Sequence, residues 1–70
     1  MAADPVMVNA RGMKCPWPAL RAARALRDAT HIVIEADDPI AGRELAALAT
    51  AQGYSFAALG DHRYALSRAG

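Results

Sequence analysis

VMVNARGMKCPWP, Val6 to Pro18, joins a short, partly β-branched run to a cysteine set between basic residues and two prolines. Val6 to Ala10 reads as a strand, and Arg11-Gly12 as the turn that ends it. Pro16 disfavours the α conformation at Cys15 and Pro18 does the same at Trp17, so a helix has to begin at or between these prolines. The stretch therefore reads strand, turn, cysteine, helix.

The chain around it supports that reading. Pro18 to Ala29 is rich in the strong helix formers Ala, Leu and Arg. At helical periodicity Ala19, Ala22, Ala23 and Leu26 share one side, while Arg21, Arg24 and Arg27 spread over the other. His31 to Ala36 holds three consecutive β-branched residues and reads as a buried strand. Asp37-Asp38-Pro39 then reads as a helix start, with Asp38 as the N-cap and Pro39 at the first helical position. This second helix is expected to run to Gln52, stop at Gly53, and bury Ala41, Leu45, Leu48 and Ala49. Tyr54 to Leu59 and Arg63 to Arg68, separated by Gly60-Asp61-His62, read as a closing hairpin.

The order β-α-β-α-β-β implies an α/β two-layer sandwich. Right-handed crossovers place both helices on one face of a four-stranded mixed sheet and leave the other face less protected. Seventy residues are expected to form a single domain over 1–70, with a thin core of Val6, Val8, Leu20, Leu26, Ile32, Ile34, Leu45, Leu48, Phe56, Leu59 and Leu66.

The net charge of +1 argues against stable nucleic-acid binding, which draws its affinity from an excess of cations. Arg11, Lys14, Arg21, Arg24 and Arg27 nevertheless concentrate positive charge near the start of the chain. No run reaches the length of a membrane span, and Met1 to Val8 lacks the basic start of a leader, so a soluble, unprocessed, cytoplasmic protein is expected. The single cysteine excludes an internal disulfide and a multi-cysteine metal site, which also fits a reducing compartment. Neither a metal nor an organic cofactor is expected.

Cys15 carries the chemistry. Lying within about one turn of a helix N-terminus, it should feel unpaired N–H groups and the positive end of the helix dipole, which favour a thiolate. Lys14 and Arg11 are expected to act in the same direction, and Pro16 and Pro18 to hold the thiol on a stiff support. His31 and His62 lie in no motif that would pair them with the cysteine as a base, and thiol–disulfide exchange within the chain lacks a resolving cysteine. Carriage of an extra sulfur gains from that solitude, because a neighbouring thiol would attack the inner sulfur of a persulfide and expel the cargo.

On the residues Asn9-Ala10-Arg11-Gly12-Met13-Lys14-Cys15-Pro16-Trp17-Pro18, with a strand before and a helix after, and on Asp37-Asp38-Pro39 opening the second helix, the sequence resembles the TusA/SirA-like sulfur carriers. The resemblance spans essentially the whole chain. It implies a sulfurtransferase acting as a stoichiometric carrier, in which Cys15 takes sulfane sulfur from a cysteine desulfurase or rhodanese-like donor and relays it to a cysteine of an acceptor protein. Both encounters would be transient, and the carrier a monomer. Destinations in that family include tRNA thiolation, molybdenum cofactor assembly and sulfur oxidation, with selenium handling inferred for some branches.

Two positions depart from the family pattern. Asn9 stands where Asp is frequent; it can keep an Asx turn but lacks the charge. Trp17 fills the variable place between the prolines, either as a partner anchor or as an inward cap on the core. Arg21 and Arg24, nearest the helix start, are the candidate docking residues beside it. The competing reading is a regulatory or RNA- or protein-binding module with an inert or redox-sensing Cys15, a two-layer fold like that of the C-terminal domain of bacterial translation initiation factor three.

Overall fold

A computed structural model describes residues 5–68. The elements run β1 (Val6–Asn9), α1 (Trp17–Asp28), β2 (His31–Glu35), α2 (Ala41–Gln52), β3 (Ser55–Gly60) and β4 (Arg63–Ser67). The sheet order is β1-β2-β4-β3. β1 pairs parallel with β2, with Val6 opposite Ile32 and Val8 opposite Ile34, while β4 pairs antiparallel with both β2 and β3. The expected α/β architecture, two helices on one face of a mixed four-stranded sheet, is the observed one.

Alternation along the strands explains the layering. Val8, Ile32, Ile34 and Leu66 point into one core with Ala22 and Leu26 of α1 and Ala41, Leu45 and Ala49 of α2. Strand side chains at every second position share a face, so Val33 looks out of the opposite side, opposite Met7 and Ala65. That side carries a single apolar rung, Met7-Val33-Ala65-Ala57, between polar ones. Val33 is buried there by its central place in the sheet, whereas Met7 at the edge is exposed.

Several expectations are corrected. Val6, Leu20 and Leu59 are exposed, not core. Val6 opens an edge strand, Leu20 faces a groove beside α1, and Leu59 is the extra residue of a bulge between Ala58, opposite Tyr64, and Gly60, opposite Arg63. The hairpin is tighter than expected, since Gly60 belongs to β3 and only Asp61-His62 turns the chain, with His62 at φ 63°. α1 buries Pro18, Ala22 and Leu26, with Ala19 and Ala23 half-buried. α2 stops where expected, at Gly53 with φ 73°, a left-handed conformation open to glycine without steric cost.

The start of α2 differs most. Ile40, not Asp38, is the N-cap, and Pro39 lies before the helix. Asp38 instead makes an Asx turn into it, its Oδ1 accepting the Ile40 N–H at 3.0 Å while its carbonyl accepts the Ala41 N–H at 3.0 Å. This arrangement leaves the second carboxylate oxygen for a long-range contact at the site.

Candidate functional site

The loop between β1 and α1 is built from backbone turns. Asn9 Oδ1 accepts the Arg11 N–H at 3.0 Å, so the Asx turn survives without the Asp charge. The Met13 N–H closes a tight turn on the Ala10 carbonyl at 3.2 Å, and Gly12 takes φ 80° within it, as the third position of a type II turn requires. Cys15 follows as a free, half-buried thiol, and its peptide bond to Pro16 is cis.

Two carboxylates from the β2–α2 connection hold this loop. Asp37 Oδ1 accepts the Gly12 N–H at 2.9 Å, and Asp38 Oδ2 accepts the Cys15 N–H at 2.8 Å. The acidic pair thus spans the cysteine segment, one residue on the turn and one on the cysteine itself. Hydrogen bonds from Ile40 and Cys15 hold the Asp38 carboxyl below the ordinary carboxylate range, and the charge of Lys14 adds to the effect.

The electrostatics around the thiol run opposite to expectation. Loss of water on partial burial, the neighbouring Glu44 carboxylate and the negative charge of Asp38 together push the Cys15 thiol above its ordinary value. The mouth of α1 offers little to oppose them. Pro16 and Pro18 have no N–H, Trp17 gives its N–H to the Lys14 carbonyl at 2.9 Å, and the Cys15 N–H is taken by Asp38. The expected cations are engaged elsewhere. Arg11 pairs with Glu35 at 3.2 Å, a carboxylate it shares with Arg63 at 2.8 Å, and Lys14 acts on Asp38.

Trp17 resolves to the outward alternative, 60% exposed. With Met7, Met13 and Leu20 it lines a groove of about 630 Å³ between the edge strand β1 and α1, and Arg21 and Arg24 also line it. Arg21 Nη1 donates to the Asn9 carbonyl at 3.3 Å, which holds that guanidinium at the β1 end of the groove. The three residues singled out for docking therefore share one surface that begins two residues after Cys15.

Among the candidate residues, the fold brings Cys15, Asp38 and Lys14 together, places Arg21, Arg24 and Trp17 on the adjoining groove, and leaves Arg11 with Glu35. Glu44 is the site residue that the sequence did not single out. Its only signal is its place at the margin of a buried stripe, one turn after Ala41 and next to Leu45, both buried. No helix among the described residues is long and apolar enough to cross a membrane.

Comparison with known proteins agrees with this fold. The fold matches that of the SirA-like protein from Desulfitobacterium hafniense, with a TM-score of 0.71, 24% identity, and coverage of 87% of this chain and 90% of that one. No curated protein sequence matches significantly. The profile of the family described as sulfurtransferase TusA matches residues 6–67, from the first residue of β1 to the last of β4. With nearly every described residue inside that match, Cys15 and its two prolines included, the chain belongs to the TusA family of sulfurtransferases.

Proposed function

We propose that the protein is a persulfide carrier, with Cys15 as its single covalent site. The Cys15 thiolate attacks the outer sulfur of a donor persulfide, the donor leaves as a thiolate, and the resulting Cys15 persulfide gives up its terminal sulfur to the thiolate of an acceptor protein. The donor is a cysteine desulfurase or a rhodanese-like protein. Exchange takes place in the reducing cytoplasm, the carrier is a monomer of one domain, and neither metal nor organic cofactor takes part.

The observation that carries this reading is the placement of the chain's sole cysteine. It is half-exposed on a loop that Asp37 and Asp38 tie to the second helix, inside the family match, with no second thiol to discharge a persulfide. Pro16 and Pro18 limit the loop's motion. The groove beside Cys15 supplies the docking surface: Trp17 and Leu20 offer apolar area, and Arg21 and Arg24 favour an acidic partner.

Transfer of radiolabelled sulfur tests the proposal. After incubation with a cysteine desulfurase, pyridoxal phosphate and labelled cysteine, label should remain on the chain in a non-reducing gel, leave on treatment with reductant, and be absent from Cys15→Ser. Label that persists in Cys15→Ser, or never reaches the wild-type chain, would overturn it.

A further inference from the structure

We propose that the outer edge of β1 receives an extended segment of the protein that exchanges sulfur with Cys15, a segment that pairs with β1 as an added strand and carries acidic and apolar side chains. The inference rests on the carrier reading and says how the partner is held.

β1 is an edge of the sheet, paired with β2 alone. The Ala10 N–H donates to the Glu35 carbonyl at 2.8 Å. Backbone groups change sides with each residue along a strand, so Val8 likewise turns its N–H and carbonyl to β2, while Met7 and Asn9 turn theirs away from the sheet. Arg21 shows that direction directly, since its Nη1 reaches the Asn9 carbonyl at 3.3 Å. Among the described residues, the Met7 N–H, the Met7 carbonyl and the Asn9 N–H stay open on this edge. Outward groups at every second residue are what an incoming strand pairs with.

The side chains around the edge suit such a guest. Val6, Met7, Trp17 and Leu20 are four of the six large apolar residues that stand exposed among the described ones, and all four belong to β1 or to the start of α1. Arg21 and Arg24 line the groove between these two elements, so an acidic residue in the segment meets a guanidinium pair. The same pair disfavours a second copy as the guest, because pairing β1 with itself would set two arginines against two. A helix laid in the groove would cover the apolar side chains but shut the Met7 and Asn9 groups away from water without partners, which costs free energy.

The place is right for exchange. Met13 and Trp17, two residues before and two after Cys15, line this groove, so a segment lying in it leads to the thiol. The other edge of the sheet, β3, lies across it and carries no charged residue. Main-chain pairing reads little sequence, so donor and acceptor can use the β1 edge in turn, with the arginines and the apolar side chains selecting which segments stay.

Hydrogen–deuterium exchange of the wild-type chain, read residue by residue by NMR, tests the inference with a cysteine desulfurase that loads Cys15 as the probe. In the chain alone, the Met7 and Asn9 amides should exchange quickly and the Val8 amide slowly. Adding the desulfurase should slow Met7 and Asn9, on the order of tenfold. Two variants give a second readout. Met7→Pro removes the outward N–H and no bond to β2, a change that an edge strand tolerates, whereas Met7→Ala removes the same side chain and keeps the N–H. Circular dichroism should show both folded, and kcat/KM for loading by the desulfurase should be lower in Met7→Pro than in Met7→Ala on the order of tenfold, the worth of a hydrogen bond or two.

Exchange that slows along α1 while Met7 and Asn9 stay fast would place the partner on the helix and overturn the inference while the carrier reading stands. Equal loading of the two folded variants would do the same. Slowing at Met7 and Asn9 when the chain alone is concentrated would assign the edge to a second copy, which also overturns it. Should Met7→Pro fail to fold, the wild-type exchange decides. If wild-type Cys15 gains no sulfur at all, the carrier reading itself fails and the inference falls with it.

Discussion

The Cys15 N–H donates to Asp38 Oδ2 at 2.8 Å across 23 positions of sequence, so the cysteine loop and the start of the second helix are one structural unit. The other Asp38 oxygen sets the turn into that helix. A residue read as a helix cap is instead a clamp on the reactive segment.

Asp38→Ala should accordingly release Cys15 without removing the thiol. Sulfur uptake is expected to fall on the order of tenfold, within the range that misplacement of a reacting group costs, and Tm should drop. Asp38→Asn keeps an oxygen for Ile40 and should lie between Ala and wild type. Stopped-flow uptake alongside thermal denaturation checks both, and an Ala variant with wild-type uptake would show that the clamp is dispensable.

Glu35 makes the fold sensitive to acid. Hydrogen bonds from Arg63 and Arg11 hold its carboxyl below the ordinary value of 4.5. A carboxyl depressed in the folded state stabilises the fold at pH above the unfolded value, and that contribution is lost as pH falls through the folded value. Tm should therefore decline as pH is lowered below about 4.5. In Glu35→Gln, which cannot ionise, it should decline less over the same window, as scanning calorimetry at stepped pH would show.

Trp17 and the arginines beside it should act on partners and not on stability. Trp17→Ala removes a side chain 60% exposed, so stability is expected to change by about 0.5 kcal/mol or less. Arg21→Ser with Arg24→Ser should raise the KM for a protein donor and flatten its salt dependence, since exposed charges act through a screened field. Iodoacetamide alkylation of Cys15 should stay at the wild-type rate, which separates lost docking from damage to the thiol's surroundings.

The core prediction is one of magnitude. Leu26 is fully buried between α1 and the sheet, and Leu26→Ala should cost about 2 to 5 kcal/mol, a large share of what a small domain has. Gly53→Ala, at φ 73°, should cost about 1 to 2 kcal/mol through the left-handed backbone alone. Urea denaturation would rank the two.

Local pattern accounts for what was legible in the sequence. Three consecutive β-branched residues marked β2, helical spacing of Ala22 and Leu26 marked α1, and the glycine after Gln52 marked the end of α2, because each signal lies within a few residues of its effect. The position of the cysteine at a strand-to-helix junction was legible for the same reason. Leu59 was misplaced because hydrophobicity does not announce a bulge. The rise rather than fall of the Cys15 pKa was hidden because Glu44 arrives from a helix whose polar positions look alike in sequence, and because Arg11 turns away to Glu35. Such assignments depend on how the β2–α2 connection folds over the loop.

The most direct measurement is mass spectrometry of the peptide carrying Cys15 after incubation with a cysteine desulfurase, cysteine and pyridoxal phosphate. A persulfide carrier gains the mass of one sulfur atom at Cys15, reversibly with reductant, and passes it to an acceptor thiol. A Cys15 peptide that never gains sulfur, yet forms sulfenic acid or a mixed disulfide with peroxide, would contradict the carrier and identify a redox-sensing thiol.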